Sequence, residues 1–134
     1  VVDLVRNALN TQQKALNGSD ILIAGAAYKK NVNDVRESPA LDVMKLLDTD
    51  GARISFYDPH VTSLRFNGRS LRGLDNLNND QVACADAVVI LTDHDAIDFE
   101  LILSAAQLVV DTRNVYPHIK EPKLFKLGVT SADN

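Results

Sequence analysis

A single cysteine, Cys84, occurs in the 134 residues, so no disulfide can close within the chain and a reducing, cytoplasmic setting is expected. No apolar run approaches the ~20 residues of a membrane-spanning helix, and no secretory pattern opens the sequence, so no membrane association is expected. Basic residues are outnumbered, 14 Lys and Arg against 18 Asp and Glu. That balance argues against a nucleic-acid partner held by charge. Two phosphate-binding signatures are also missing. Gly25-Ala26-Ala27 follows an apolar run, but no G-x-G-x-x-G is present, nor a Walker A sequence. Asp58, His60 and His94 match no standard metal spacing and read as solvated loop residues, so no metal is expected. Internal repeats and low-complexity tracts are absent. The first residue is Val, not Met, and lies inside an apparent helix. A piece of a longer protein is the expectation, of a length that fits one domain but is short for a complete two-substrate enzyme.

The sequence from Asp20 to Leu47 organises the rest. Ile21 to Ala27 is apolar at successive rather than alternate positions, as in a strand buried on both faces of a parallel sheet. A polar loop follows, with Tyr28, Lys29, Lys30, Asp34 and Arg36. Ser38 then suits a helix N-cap and Pro39 the first helical position. Ala40, Val43, Met44 and Leu47 repeat at i, i+3, i+4, i+7 and predict a core-facing stripe. Upstream, Val2, Val5 and Leu9 share a helical face within residues 1–16, which Asn17-Gly18 would stop.

Further strands are predicted at Ala52 to Tyr57, Asp86 to Leu91 and Leu108 to Asp111, with a short edge strand within Lys123 to Val129. Phe99 to Ala106 is a predicted helix, and residues 61–80 read as a polar surface connection leading to a short helix near Asp80 to Ala85. Strands alternating with helices predict a three-layer α/β/α sandwich around a mainly parallel, Rossmann-like sheet of about five strands.

Ligands of such sheets bind at the carboxyl ends of the strands. Those ends are Tyr28-Lys29-Lys30, Asp58-Pro59-His60, Thr92-Asp93-His94 and Thr112-Arg113-Asn114. Lys29, Arg36 and Arg113 offer cations for a diphosphate, Arg by paired hydrogen bonds and Lys as a point charge. Loops meeting water would also be polar, though that alone leaves the cations of an acidic chain unexplained. Cys84, beside Val82, Ala83 and Ala85, reads as a packed, inert thiol. No isolated acid pair suggests acid–base work, and no catalytic residue is assigned.

Four motifs, AYKKNVNDVRESPALDVMKLL, YDPHV, VVILTDH and VVDTRN, occur in that order. Together they resemble the C-terminal domain of UDP-glucose/GDP-mannose dehydrogenases, with the UDP-N-acetylhexosamine branch most similar. The resemblance covers nearly the whole chain. It implies residues 1–17 as the end of a central linker helix and 18–134 as the C-terminal nucleotide-sugar-binding domain. Enzymes of the family oxidise C6 of a nucleotide sugar to a carboxylate with two NAD molecules and a thioester-forming cysteine. The resemblance implies Tyr28 and Lys29 as contacts of the UDP-sugar, Arg36 as reaching NAD across a domain interface, and Arg113 as a substrate contact, in some members from a neighbouring subunit. It also implies that the NAD-binding domain and the catalytic groups lie outside this chain, that the chain alone is inactive, that Cys84 is not the family's nucleophile, and that the full enzyme is a homo-oligomer. A second expectation stays open: a structural or oligomerisation module without useful ligand affinity, using the Val2, Val5 and Leu9 face. A receiver-type regulator fits poorly, because Lys29-Lys30 stands where that class places paired acids.

Overall fold

The computed structural model describes residues 1–27 and 38–127. Its elements are α1 (Val2–Asn10), β1 (Asp20–Ala24), α2 (Pro39–Thr49), β2 (Arg53–Tyr57), β3 (Ser63–Phe66), β4 (Arg69–Arg72), α3 (Asn79–Cys84), β5 (Ala87–Ile90), α4 (Phe99–Ala105), β6 (Val109–Asp111) and β7 (Leu124–Lys126). Five strands form one sheet in the order β2-β1-β5-β6-β7, with every neighbouring pair parallel. β3 and β4 form a separate antiparallel hairpin.

The successive apolar residues of the central strands feed two cores. Ile21, Ile23, Ala87, Val89 and Val110 face one layer, where Val5, Ala8 and Leu9 of α1 and Met44 and Leu47 of α2 pack. Leu22, Ala24, Val88, Ile90 and Val109 face the other, against Val82 of α3 and Ile102 of α4. The predicted three-layer sandwich is therefore the fold, and its central strands β1 and β5 are apolar at successive positions because both faces are covered. Helix starts follow side-chain chemistry. Ser38 Oγ accepts the Ala40 N–H at the head of α2, with Pro39 next. Asn78 and Gln81 form a capping box on α3.

Three details differ from expectation. The polar connection at 61–80 contains the β3–β4 hairpin. Asn67 and Gly68 both adopt positive φ, 50° and 79°, the backbone of a two-residue I′ turn. Short alternating strands bury Leu64 and Phe66, while the Asn67 amide donates to Asp48 on α2. The face of α1 is likewise not left open: Val5 and Leu9 are fully buried, and the helix ends at Asn10. Cys84, expected to be packed, is exposed. A helix of six residues has room to bury only Val82, and Cys84 falls on its outer side.

Charges secure the amino ends of the strands. Lys14 Nζ lies 2.7 Å from Asp86 Oδ1, and Asp86 Oδ2 accepts the Asp20 N–H at 2.7 Å. Lys14 holds the Asp86 carboxyl below its ordinary range, aided by the Asp20 amide and opposed by desolvation. Because the folded value is depressed, this contribution is complete above the unfolded value of ~3.9 and is lost as pH falls through the folded one. Asp86→Asn is therefore expected to lower the melting temperature at neutral pH. The gap to the native protein should close as thermal melts are taken below pH ~4. At the other end of β1, Gly25 has φ +88°, and a Cβ there would lie 2.5 Å from the Thr92 carbonyl oxygen. Urea unfolding of Gly25→Ala should show a loss of about 2–4 kcal/mol from backbone strain plus overpacking.

Candidate functional site at the strand carboxyl ends

From β1 the chain runs through α2 to β2 on one side, and β5 then takes the opposite side of β1. The carboxyl ends of β1 and β5 therefore flank the switch point at which open sheets of this kind bind ligands. Among the described residues, several of the protein's own side chains converge there. Asp58, just past β2, is 5% exposed, and its Oδ2 accepts the N–H groups of Ala26 at 2.7 Å and Ala27 at 3.1 Å. His94 Nε2 lies 2.8 Å from the same oxygen, and Oδ1 accepts the His60 N–H at 2.7 Å. Thr92 Oγ1 donates to the Ala27 carbonyl at 2.8 Å, and Ser38 Oγ to that of Ala26 at 3.0 Å. The imidazole of His60 meets His94 edge-on, with ring centroids 4.7 Å apart.

Asp58 and His94 are thus a buried, hydrogen-bonded pair, where the sequence suggested solvated loop residues. Their spacing, 36 residues, carries no local signal; only the parallel pairing of β2, β1 and β5 brings them together. Among the described residues no cluster of three metal-ligating side chains occurs.

At the end of β6, Asp111 performs a related task. Its buried carboxylate accepts the Arg113 N–H at 3.0 Å and the Tyr116 N–H at 3.2 Å. Asn114 turns the chain with φ 59°. Tyr116 donates its hydroxyl to the Phe99 carbonyl at 2.6 Å, and burial raises that phenol's pKa, so it stays a donor. Arg113 therefore leaves a fixed backbone with its side chain 47% exposed, Nε 3.7 Å from Asp93 Oδ1. It stands at the carboxyl edge of the sheet, where the sequence placed it. Tyr28, Lys29 and Arg36 lie outside the described residues. Cys84 lines an open cleft of about 270 Å³ with Asp20 and Arg53, at the amino ends of the strands and so at the far edge from Arg113.

Among the described residues, the backbone amides at the switch point are not open to a phosphate. In a dinucleotide fold the amides after the first strand face the pyrophosphate. Here those of Ala26 and Ala27 are already taken by the Asp58 carboxylate, and Gly25 abuts Thr92 rather than open space. A second anion beside that carboxylate would be repelled. A cleft of about 190 Å³ next to Asp58, lined by Tyr57, Pro59, Thr62 and Leu74 among others, falls below the ~300 Å³ of ordinary ligand pockets.

Comparison with known proteins identifies the family. The sequence pattern of the UDP-glucose/GDP-mannose dehydrogenase family, UDP binding domain, matches residues 22–118. UDP-N-acetyl-D-mannosamine dehydrogenase of Methanococcus maripaludis is 38% identical over 106 residues, covering 73% of this chain and 23% of that protein. UDP-glucose 6-dehydrogenase of Rhizobium meliloti is 38% identical over 109 residues, covering 75% and 24%. Among solved structures, the UDP-D-ManNAc dehydrogenase of Pyrococcus horikoshii superposes with a TM-score of 0.71 at 30% identity, over 94% of this chain and 29% of that one. The chain thus spans about a quarter of the length of the curated relatives it matches. With a family match across most of its length and the same five-stranded fold, the chain belongs to the UDP-glucose/GDP-mannose dehydrogenase family and spans its UDP-binding domain.

Proposed function

We propose that this chain is the nucleotide-sugar-binding part of an NAD-dependent dehydrogenase that oxidises C6 of a UDP-sugar to the uronate. The observation that carries this reading is the match of residues 22–118 to the family's UDP-binding domain. A UDP-N-acetylhexosamine is the favoured substrate, because relatives from two Methanococcus species bear the name UDP-N-acetyl-D-mannosamine dehydrogenase. In this reading Tyr28, Lys29 and Arg113 bind the substrate, with Lys29 and Arg113 supplying positive charge to the diphosphate. The exposed guanidinium of Arg113 on its fixed backbone suits that task.

Arg36 is assigned to NAD, whose main site belongs to a separate N-terminal domain. The occupied amides of Ala26 and Ala27 support that division of labour. Residues 1–17 then form the end of the linker helix and 18–134 the binding domain, within a cytoplasmic homo-oligomer. The chain by itself is expected to be inactive. An oligomerisation module without ligand affinity is the competing reading, but of the Val2, Val5 and Leu9 face that motivated it, Val5 and Leu9 are buried in the chain's own core and Val2 is partly buried against it.

Titration calorimetry with UDP tests the proposal. UDP is expected to bind, and Lys29→Ala to weaken it by about tenfold, equivalent to ~1.4 kcal/mol. Affinity unchanged by Lys29→Ala would remove that residue from the site, and failure of UDP to bind at all would overturn the reading.

A further inference from the structure

We propose that Asp58, Thr92 and His94 are positioning residues for nucleotide binding: they fix Ala26 and Ala27, so that UDP affinity depends on a carboxylate that does not touch the ligand. The inference rests on the function proposed above, because Ala27 directly precedes Tyr28 and Lys29.

All four polar backbone groups of Ala26 and Ala27 are held by side chains from other parts of the fold. The two N–H groups go to Asp58 beyond β2. The Ala26 carbonyl goes to Ser38 at the head of α2, and that of Ala27 to Thr92 beyond β5. Such irregular backbone, paired to neither strand nor helix, is ordinarily where a chain varies most in position. Here it is tied as tightly as a strand. The ties also close a ring, because Ser38 both bonds Ala26 and caps α2. Ala27 and Ser38 therefore belong to one network of side chains.

Asp58 holds the key position. A carboxylate offers about four acceptor sites, and Asp58 receives four donors: the N–H groups of Ala26, Ala27 and His60, and the His94 ring. Three of them meet at Oδ2, so that oxygen is committed to the protein's own groups. The arrangement is also not explained by stability alone, since a buried polar network is often replaceable by apolar residues without loss. What apolar residues would not supply is the fixed orientation of two peptide groups.

UDP calorimetry and thermal melts on the native chain, His94→Leu, His94→Gln, Thr92→Val and Ile102→Val provide the test. Leu removes the ring donor to Asp58, whereas Gln places an N–H donor near the same point. Val at position 92 deletes one hydroxyl and keeps the side-chain shape. Ile102 packs on the opposite face of the sheet and serves as a core control. His94→Leu and Thr92→Val are expected to weaken UDP binding by about tenfold or more, and His94→Gln by no more than about threefold. Ile102→Val should lower the melting temperature and leave the affinity unchanged. Equal UDP affinity in the native, His94→Leu and Thr92→Val proteins would overturn the positioning role while leaving the nucleotide site standing. Equal weakening in His94→Gln and His94→Leu would overturn the part assigned to the ring hydrogen bond. If His94→Leu fails to fold, Thr92→Val decides. Absence of UDP binding by the native chain would instead overturn the functional reading, and this inference with it.

Discussion

One carboxylate, that of Asp58, determines how the functional end of this domain is built. Four N–H donors converge on it, from the residues after β1, from its own loop and from the loop after β5. A charge taken out of water is tolerated only when its acceptor sites are filled. Filling them here draws three strand ends to a common point. Gly25 follows from the same constraint. With β1 and β5 this close beyond their last paired residues, only a residue without Cβ fits against Thr92. Among the described residues, the first amides of the crevice at which open α/β sheets usually bind phosphate are thereby taken from within. Arg113, by contrast, stands at the carboxyl edge of the sheet, on the backbone that Asp111 holds.

Much of the fold was legible in the sequence because burial on both faces leaves short runs of successive apolar residues, as in β1 and β5. Periodicity alone does not separate such a run from a buried helix, and its shortness and β-branched residues decided for strand. Ser38-Pro39 marked the head of α2 through capping chemistry that acts over three residues, and it holds as read. The β3–β4 hairpin was harder to see. Each strand has four residues and buries at most two side chains, so its alternation is lost among polar neighbours, although Asn67-Gly68 was the signal that could have found it. α1 misled for a different reason: its apolar face was visible, but whether that face met its own sheet depends on the turn at 11–19, which periodicity does not specify.

The site divided along the same line. Strand ends are local features, so Arg113 was found at the carboxyl edge where the sequence put it. The Asp58–His94 pair is a property of the strand order β2-β1-β5, which no spacing encodes. A lone polar residue after a strand looks like solvated loop until the neighbour that desolvates it is known. The most informative clue, in retrospect, was composition at the strand ends: an Asp directly after β2 and a His shortly after β5 are costly to leave unpaired if those ends come together.

The two edges of the sheet differ in chemistry as well as position. One is closed by the ion pairs of Lys14, Asp86, Asp20 and Arg53, while the other presents Arg113. Cys84, the sole thiol of the chain, sits exposed on the ion-paired edge. A single maleimide dye would therefore attach at one defined place, away from the Arg113 edge and without any engineered cysteine. The molecule carries its own labelling handle, so that fluorescence transfer from Cys84 to a tagged nucleotide would measure in solution which edge of the sheet the nucleotide occupies.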